Sequence, residues 1–303
     1  MPLRRLLKSL VMPGFLVAIL FASYGPTLQM LAQRWAVDAR YSHGFLVPLF
    51  ALYLLWARRA LLANCRGGSE LAGLGLVALG VVLRLAGAHY FVNWVEEISL
   101  LPSIAGVVLI LGGRVALRWA APSILFLSFM VPLPYRVERS FGLPLQGVAT
   151  AASTYLLQTI GLAAVSEGNI IYLDHARIGV VEACNGLGML VMFFAFTAGA
   201  VLLMRRHPLE NTLIVLSAIP IALVANVLRI TITGVLHEMV NSSAANTFYH
   251  SVAGWVMMPL AIGALQLELI LMSRLFPQPE NTDGAHLRPE SKLNPNPTPR
   301  LQT

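Results

Sequence analysis

The chain has 303 residues, of which 57% are hydrophobic and only 12% are charged, with a mean hydropathy of +0.71. Soluble domains carry about 25% charged residues, so this composition excludes an ordinary soluble protein and indicates an integral membrane protein. Much of the net charge of +7 comes from basic residues in short connections, which is typical of cytoplasmic loops rather than of a nucleic-acid-binding surface. The two cysteines, Cys65 and Cys184, cannot form a disulfide framework.

Long apolar segments predict an all-α polytopic membrane protein of about eight transmembrane helices over residues 1–276. A transmembrane helix needs about 20 apolar residues. The segment from Ile98 to Val131 is too long for one helix, so we expect Gly112-Gly113-Arg114 to divide it. Residues 277–303 are rich in proline and predict a disordered cytoplasmic tail. The other predicted spans are Leu10–Leu31, Gly44–Leu62, Leu71–Phe91, Cys184–Met204, Leu213–Leu236 and Ser251–Phe276.

Two segments in the middle of the chain are not simple spans. In Phe141–Ala163 the polar residues share one helical face, which favours an interfacial or re-entrant helix, although a span or a helix packed inside the bundle also fits. Further on, Ile170–Leu173 and Ile178–Val181 flank the turn-prone Asp174-His175-Ala176-Arg177, which predicts a small exterior hairpin leading directly to Cys184. The polar face of the first segment consists of Gln146, Thr150, Ser153, Thr154 and Gln158.

Three chemically active side chains lie near the ends of the last three apolar segments, namely Cys184, Arg229 and His250. The connection Arg205-Arg206-His207 is the basic loop of this part of the chain, so we expect it to be cytoplasmic. The Cys184 helix then runs inward. The next helix returns outward and carries Arg229 about 24 Å from Leu213, close to the outer surface. All three side chains are therefore predicted to lie on the exterior face.

These three residue types can form a cysteine-peptidase site. A cysteine attacks as the thiolate, and a nearby histidine can take its proton and later protonate a leaving amine. An arginine can stabilise a tetrahedral oxyanion, or it can bind a substrate carboxylate through its planar fork. Each residue also has a simpler interpretation, since a membrane cysteine is commonly a small apolar filler and Arg229 could extend to the outer headgroups.

Other side chains are candidates for supporting roles. Asn226 precedes Arg229 by three residues on the same helical face, and we expect it to orient the arginine. Glu182 lies beside the cysteine and could hold a histidine. His43 begins an exterior helix and could line the same cleft or simply lie in the interface. No histidine pair has metal-site spacing and no glycine-rich phosphate loop is present, so we predict neither a metal nor another cofactor.

The order and spacing of these motifs resemble the exosortase and archaeosortase family over roughly residues 30–275. Glu182-Ala183-Cys184-Asn185-Gly186-Leu187 resembles the Ala-Cys-Ser/Asn-Gly motif of that family. Asn226-Val227-Leu228-Arg229-Ile230 resembles its Asn-x-x-Arg motif, and His250-Ser251-Val252-Ala253-Gly254-Trp255 resembles its His-x-x-x-Gly motif. Tyr41-Ser42-His43-Gly44, followed by Pro48, resembles a common N-terminal feature of the same family.

The resemblance implies a membrane transpeptidase or protease with Cys184 as nucleophile, Arg229 as stabiliser and His250 as acid and base. Its partners would be the lipid bilayer and exported proteins that end in a short motif such as Pro-Glu-Pro, a transmembrane helix and a basic tail. No nucleic acid is expected. The expected location is the inner (cytoplasmic) membrane, with the active site facing the exterior.

Two other functions are compatible with the residues. In a non-enzymatic transporter or polysaccharide-export assembly protein, Arg229 and Asn226 would line a substrate path and Cys184 would be incidental. A membrane acyltransferase has less in its favour, because the sequence offers no second catalytic carboxylate and no His-Asp pairing.

Overall fold

The chain folds into a bundle of α-helices with one small antiparallel sheet, as seen in a computed structural model that describes residues 3–64, 70–174, 176–180, 186–204, 207–239, 263–271 and 274. Within these residues, four helices are long and apolar enough to cross a bilayer, and two shorter apolar helices accompany them. The predicted helical membrane architecture is therefore confirmed, whereas the count of about eight spans stays a prediction. The four long helices are Gly14–Val37, Ala72–His89, Asn93–Met130 and Pro208–Glu238, and the shorter ones are Tyr41–Ala57 and Gly188–Leu203.

The helices follow the apolar segments of the sequence closely. Residues 263–271 are helical and fall inside the predicted last span, Ser251–Phe276, most of whose other residues lie outside the described part of the chain. Short 3₁₀-helices cover Ala39–Phe45, Arg59–Asn64 and Leu127–Met130. The α-helices are α1 (Leu3–Val37), α2 (Leu46–Ala57), α3 (Ala72–His89), α4 (Asn93–Ile98), α5 (Leu100–Phe126), α6 (Tyr135–Ile160), α7 (Gly186–Leu203) and α8 (Pro208–Met239).

Helix α5 is broken at Gly113, as the sequence predicts. The backbone of this residue has φ 69° and ψ −168°, a conformation that glycine adopts readily and that interrupts the helix. The first half of α5 packs closely on α3, where a Cβ added at Gly73 would meet the carbonyl oxygen of Gly106 at 2.7 Å. The second half packs on α2, since the indole of Trp119 donates to the carbonyl of Leu55 at 3.1 Å. The break at Gly113 thus allows the two halves of α5 to pack against different helices, α3 and α2.

Polar side chains, here called the N-terminal polar cluster, join α1 to α3, α4 and α5. The hydroxyl of Tyr24 lies 2.9 Å from the hydroxyls of both Ser99 and Ser103. Arg34 forms an ion pair with the buried Glu97 at 3.6 Å. Charged groups in an apolar bundle are stabilised only when they are paired, so these contacts tie the helices together. The cluster consists of Tyr24, Thr27, Arg34, Arg84, Glu96, Glu97, Ser99 and Ser103.

Helix α6 packs its polar side against the protein and exposes its apolar side. Its buried positions include Gln146, Thr150, Ser153, Thr154 and Leu157. A helix lying in the membrane interface would instead turn its polar face to water. The observed orientation therefore argues against a helix whose polar face meets water in the interface, whereas a re-entrant helix, a span and a helix packed in the bundle all stay predictions. Its exposed large side chains are Phe141, Leu143, Val148, Tyr155 and Ile160.

The predicted hairpin is present and belongs to a three-stranded sheet. Strands β2 (Ile170–Tyr172) and β3 (Arg177–Gly179) pair antiparallel, with Ile171 opposite Ile178. An additional strand, β1 (Val165–Glu167), pairs with β2 on its other edge and was not predicted. Ile171 and Ile178 are buried in one core cluster with residues of α6 and α8, which fixes the sheet against those helices.

Helices α7 and α8 are consecutive and pack side by side. Because the connection over residues 204–207 is short, the two helices run antiparallel. Their contact is apolar and includes small residues on α8, which lets the helices approach closely. The shared core consists of Met189, Met192 and Phe193 of α7 with Ala218, Ala222 and Ala225 of α8.

Candidate functional site

Arg229 and Asn226 lie one turn apart on α8, in the interior of the bundle. Asn226 is buried, with 1% of its surface exposed, and Arg229 is half-buried. Residues three apart on a helix share a face, so the amide and the guanidinium lie on the same side of α8. Asn226 and Arg229 thus share one face of a helix, as the sequence predicts.

A small cavity adjoins Asn226 between α6, α7 and α8. It offers about 10 Å³ to water-sized molecules, which is close to the minimum that holds one water. Polar character at this point comes from Asn226, because the other lining side chains are apolar. They are Leu145, Leu190, Ile219, Ala222 and Leu223.

The cavity also shows which parts of α7 and α8 are neighbours. Leu190 of α7 lines it opposite a stretch of α8 that runs from Ile219 to Asn226. From Leu190 back to Gly186 the axis advances about 6 Å, and from Asn226 on to Arg229 it advances about 4.5 Å in the same direction. The turn that carries Arg229 therefore lies within about two helical turns, roughly 10 Å, of the N-terminal end of α7 along the bundle axis.

Hydroxyl groups bond to the backbone of this same turn of α8. The hydroxyl of Ser153 on α6 donates to the carbonyl of Val227 at 3.3 Å. Thr231 donates to that carbonyl at 2.9 Å, and Thr233 donates to the carbonyl of Arg229 at 2.8 Å. Sequence reasoning placed Ser153 on the polar face of its helix but gave it no role at the site, because its partner is 74 residues away.

Helix α6 is also bonded to the sheet. The side-chain amide of Asn169 donates to the side-chain oxygen of Gln146 at 3.2 Å. The backbone carbonyl of Asn169 in turn accepts from the N–H of Val180 at 2.8 Å. Val180 is fully buried and stands four residues before Cys184 in the sequence. The polar face of α6 thus contacts α8 directly and is connected, through Asn169, to Val180, the residue that follows β3.

His43 lies in the 3₁₀-helix Ala39–Phe45, which contacts α7, and 4% of its surface is exposed. Its Nε2 atom is 3.2 Å from the backbone carbonyl of Phe129, and its ring lies 6.4 Å from the ring of Tyr41. The contact with Phe129 joins the 3₁₀-helix Ala39–Phe45 to the 3₁₀-helix Leu127–Met130. The structure therefore places Asn226 and Arg229 on one face of α8, whereas the supporting role of His43 at the site stays a prediction.

Cys184, Glu182 and His250 lie outside the described residues, so their predicted roles stay predictions. Among the residues that the structure describes, no group of three or more histidine, cysteine, aspartate or glutamate side chains could hold a metal ion.

Comparison with known proteins identifies the family of the chain. No curated protein and no solved structure is significantly similar to it. The model of the transmembrane exosortase family (Exosortase_EpsH) matches residues 35–267, which is most of the chain and includes the three motifs of the last three apolar segments. Together with the apolar helices of the bundle, this match shows that the chain is a multi-pass membrane protein that belongs to the transmembrane exosortase family.

Proposed function

We propose that the protein is a membrane-embedded cysteine transpeptidase or protease that cleaves the C-terminal sorting signal of exported proteins. Family membership supports the general activity. The observation that carries the proposal for this chain is the packing of α7 against α8, in which the Arg229 turn lies within about two helical turns of the end of α7 that follows the cysteine.

Covalent geometry connects Cys184 to that end of α7. Cys184 precedes Gly186 by two residues, and consecutive Cα atoms are 3.8 Å apart, so its Cα lies within about 8 Å of the Cα of Gly186. A long arginine side chain on the neighbouring helix can bridge such a distance. His250 is separated from Met239 by 11 positions, so chain length leaves it free to reach the same face.

The proposed reaction proceeds through a thioester. His250 takes the proton of the Cys184 thiol, and the thiolate attacks the carbonyl carbon of the scissile peptide bond. Arg229, oriented by Asn226, stabilises the resulting oxyanion. The C–N bond then breaks, and His250 gives its proton to the leaving amine. Attack on the thioester by an acceptor amine anchors the substrate elsewhere, and attack by water releases it. Glu182 would hold His250, and His43 would support the same end of the bundle.

The proposed substrates are exported proteins that end in a short motif, a transmembrane helix and a basic tail. The basic connection 204–207 supports an inner-membrane orientation in which α7 begins at the exterior face. The short motif of the substrate would then emerge beside Cys184, while its transmembrane helix lies in the bilayer next to the bundle.

The first test is co-expression of the enzyme with a protein that carries such a tripartite tail. We expect wild-type enzyme to remove the tail, and both Cys184→Ala and Cys184→Ser to leave it intact. The matched control is Cys65→Ala, which removes the other cysteine of the chain and should process normally. Mass spectrometry of the substrate C-terminus gives the cleavage point, and an added mass identifies an acceptor.

Normal processing by Cys184→Ala would reject the proposal. It would favour the transporter or assembly function, in which Arg229→Ala loses function and Cys184→Ala does not.

A further inference from the structure

We propose that the polar face of α6 sets the position of the Arg229 turn relative to the strand that leads to Cys184, with Ser153 and Gln146 as positioning residues. The proposal rests on the proposed function, because it assigns these residues to the same reaction. Neither side chain needs to touch substrate; each would act through another part of the site.

Ser153 makes the contact between α6 and the arginine turn. It is fully buried, and its hydroxyl donates to the carbonyl of Val227, two residues before Arg229. The neighbouring hydroxyls of Thr150 and Thr154 instead donate to carbonyls of α6 itself, each at 2.8 Å. Among the described hydrogen bonds of this face, the Ser153 bond is therefore the one that crosses to α8.

Gln146 makes the second contact, with Asn169 in the turn between β1 and β2. Its side-chain oxygen accepts from Asn169, whose backbone carbonyl accepts from Val180. Gln146 is 8% exposed, so this amide is shielded from water. In such surroundings a polar group that loses its hydrogen-bond partner has a large free-energy cost. The Gln146–Asn169 bond therefore favours one position of α6 relative to the sheet.

The spacing of the two contacts explains why one helix can do both tasks. Gln146 and Ser153 are seven residues apart, which is about two helical turns and about 10 Å along one face. A helix of this length is stiff, so the two bonded groups keep a fixed separation. A fixed separation between nucleophile and stabilising group is what a covalent mechanism requires, since a misplacement of about 1 Å can lower a rate by about a hundredfold.

The test compares Ser153→Ala, Ser153→Thr and the control Thr154→Val in the co-expression assay. Rates are normalised to the amount of folded enzyme, measured by size-exclusion chromatography in detergent. Ser153→Ala should process about ten- to a hundredfold more slowly. Ser153→Thr keeps the donor and should retain most of the activity. Thr154→Val removes another buried hydroxyl, which bonds within α6, and should stay near the wild-type rate.

The conservative variant separates positioning from packing. If Ser153 only fills space, alanine is tolerated better than the larger threonine, and an order of activity with Ser153→Ala above Ser153→Thr overturns the proposal. A wild-type rate in Ser153→Ala, or an equal loss in Thr154→Val, overturns it as well.

Asn169→Ala tests the second contact at a half-buried position, and we expect about a tenfold lower rate per folded enzyme. An unchanged rate would remove Gln146 from the proposal. Cys184→Ala is run alongside: if it still processes, the proposed function fails, and if it alone is inactive, the failure is confined to the positioning role of α6.

Discussion

Two buried polar regions hold this bundle together, and they bond in different ways. In the N-terminal polar cluster, the bonds that cross between helices join side chain to side chain: Thr27 donates to Glu96 at 3.0 Å, and Arg84 lies 3.9 Å from the same carboxylate. In the region between α6 and α8, hydroxyls bond to backbone carbonyls, as Ser153 does to Val227. The first kind of contact joins helices through flexible side chains, whereas the second grips the backbone of one particular turn.

This difference suggests a division of labour. Side chains that pair with each other stabilise the association of α1, α3 and α5 and tolerate small shifts of the helix axes. A side chain that bonds to a carbonyl two residues before Arg229 constrains where that arginine points. We therefore expect changes in the N-terminal polar cluster to alter stability, and changes around the Arg229 turn to alter activity at nearly constant stability.

The largest expected effect separates the two arginines. Arg229→Ala should lower processing per folded enzyme by about a hundred- to a thousandfold, because the oxyanion loses its charged donor. Arg34→Ala should reduce the yield of folded enzyme and leave the rate per folded molecule near wild type, since Arg34 pairs with Glu97 in the other region. Co-expression rates and detergent-solubilised yield check both statements. Equal rates in the two variants would contradict the division.

A smaller effect is expected from packing between α3 and α5. A Cβ at Gly80 would overlap the hydroxyl of Ser103, while a Cβ at Gly75 on the same helix has no atom within 4 Å. Gly80→Ala should therefore lower the free energy of unfolding by about 1–3 kcal/mol. Gly75→Ala should leave it unchanged or raise it slightly, since alanine favours a helix. Denaturation in detergent micelles measures both, and identical curves would show that the close approach is not needed.

The smallest expected effect concerns a single hydroxyl. Tyr24→Phe removes the group that bonds to both Ser99 and Ser103, and should lower the free energy of unfolding by about 1 kcal/mol with no change in rate. Tyr155→Phe serves as the control, because Tyr155 is 70% exposed. A loss of processing in Tyr24→Phe at normal stability would assign the N-terminal polar cluster a part in the reaction.

Local patterns in the sequence predicted much of this fold. The glycine pair before Arg114 marked the break in α5, and the short apolar runs around Asp174 marked the hairpin. Strand β1 was missed because it is three residues long and exposed throughout, so it carries no alternating pattern. The sequence predicts that the polar residues of α6 share one face. It does not predict whether that face contacts water or protein, because the spacing of the residues is the same in both cases.

The candidate site, too, can be predicted from the sequence only where it depends on local spacing. The shared helical face of Asn226 and Arg229 depends only on helical spacing, so the sequence is sufficient to predict it. The contacts of Ser153 with Val227 and of His43 with Phe129 join positions 74 and 86 residues apart, and nothing in a single sequence signals such pairs. Cys184, Glu182 and His250 lie outside the described residues, and the co-expression test checks the role of Cys184.

The buried polar face of α6 also bears on how the protein is made. Ribosomes deliver α6 to the membrane before α7 and α8 exist, yet Ser153 finds its partner on α8. The hydrocarbon tails of the lipid offer no hydrogen-bond acceptors, so burial of the polar face of α6 in the bilayer is unfavourable at that stage. Its final docking must wait until translation has passed Val227. The membrane insertion of this chain is therefore not a simple sequence of independent helices, and α6 completes its assembly after helices that are synthesised later.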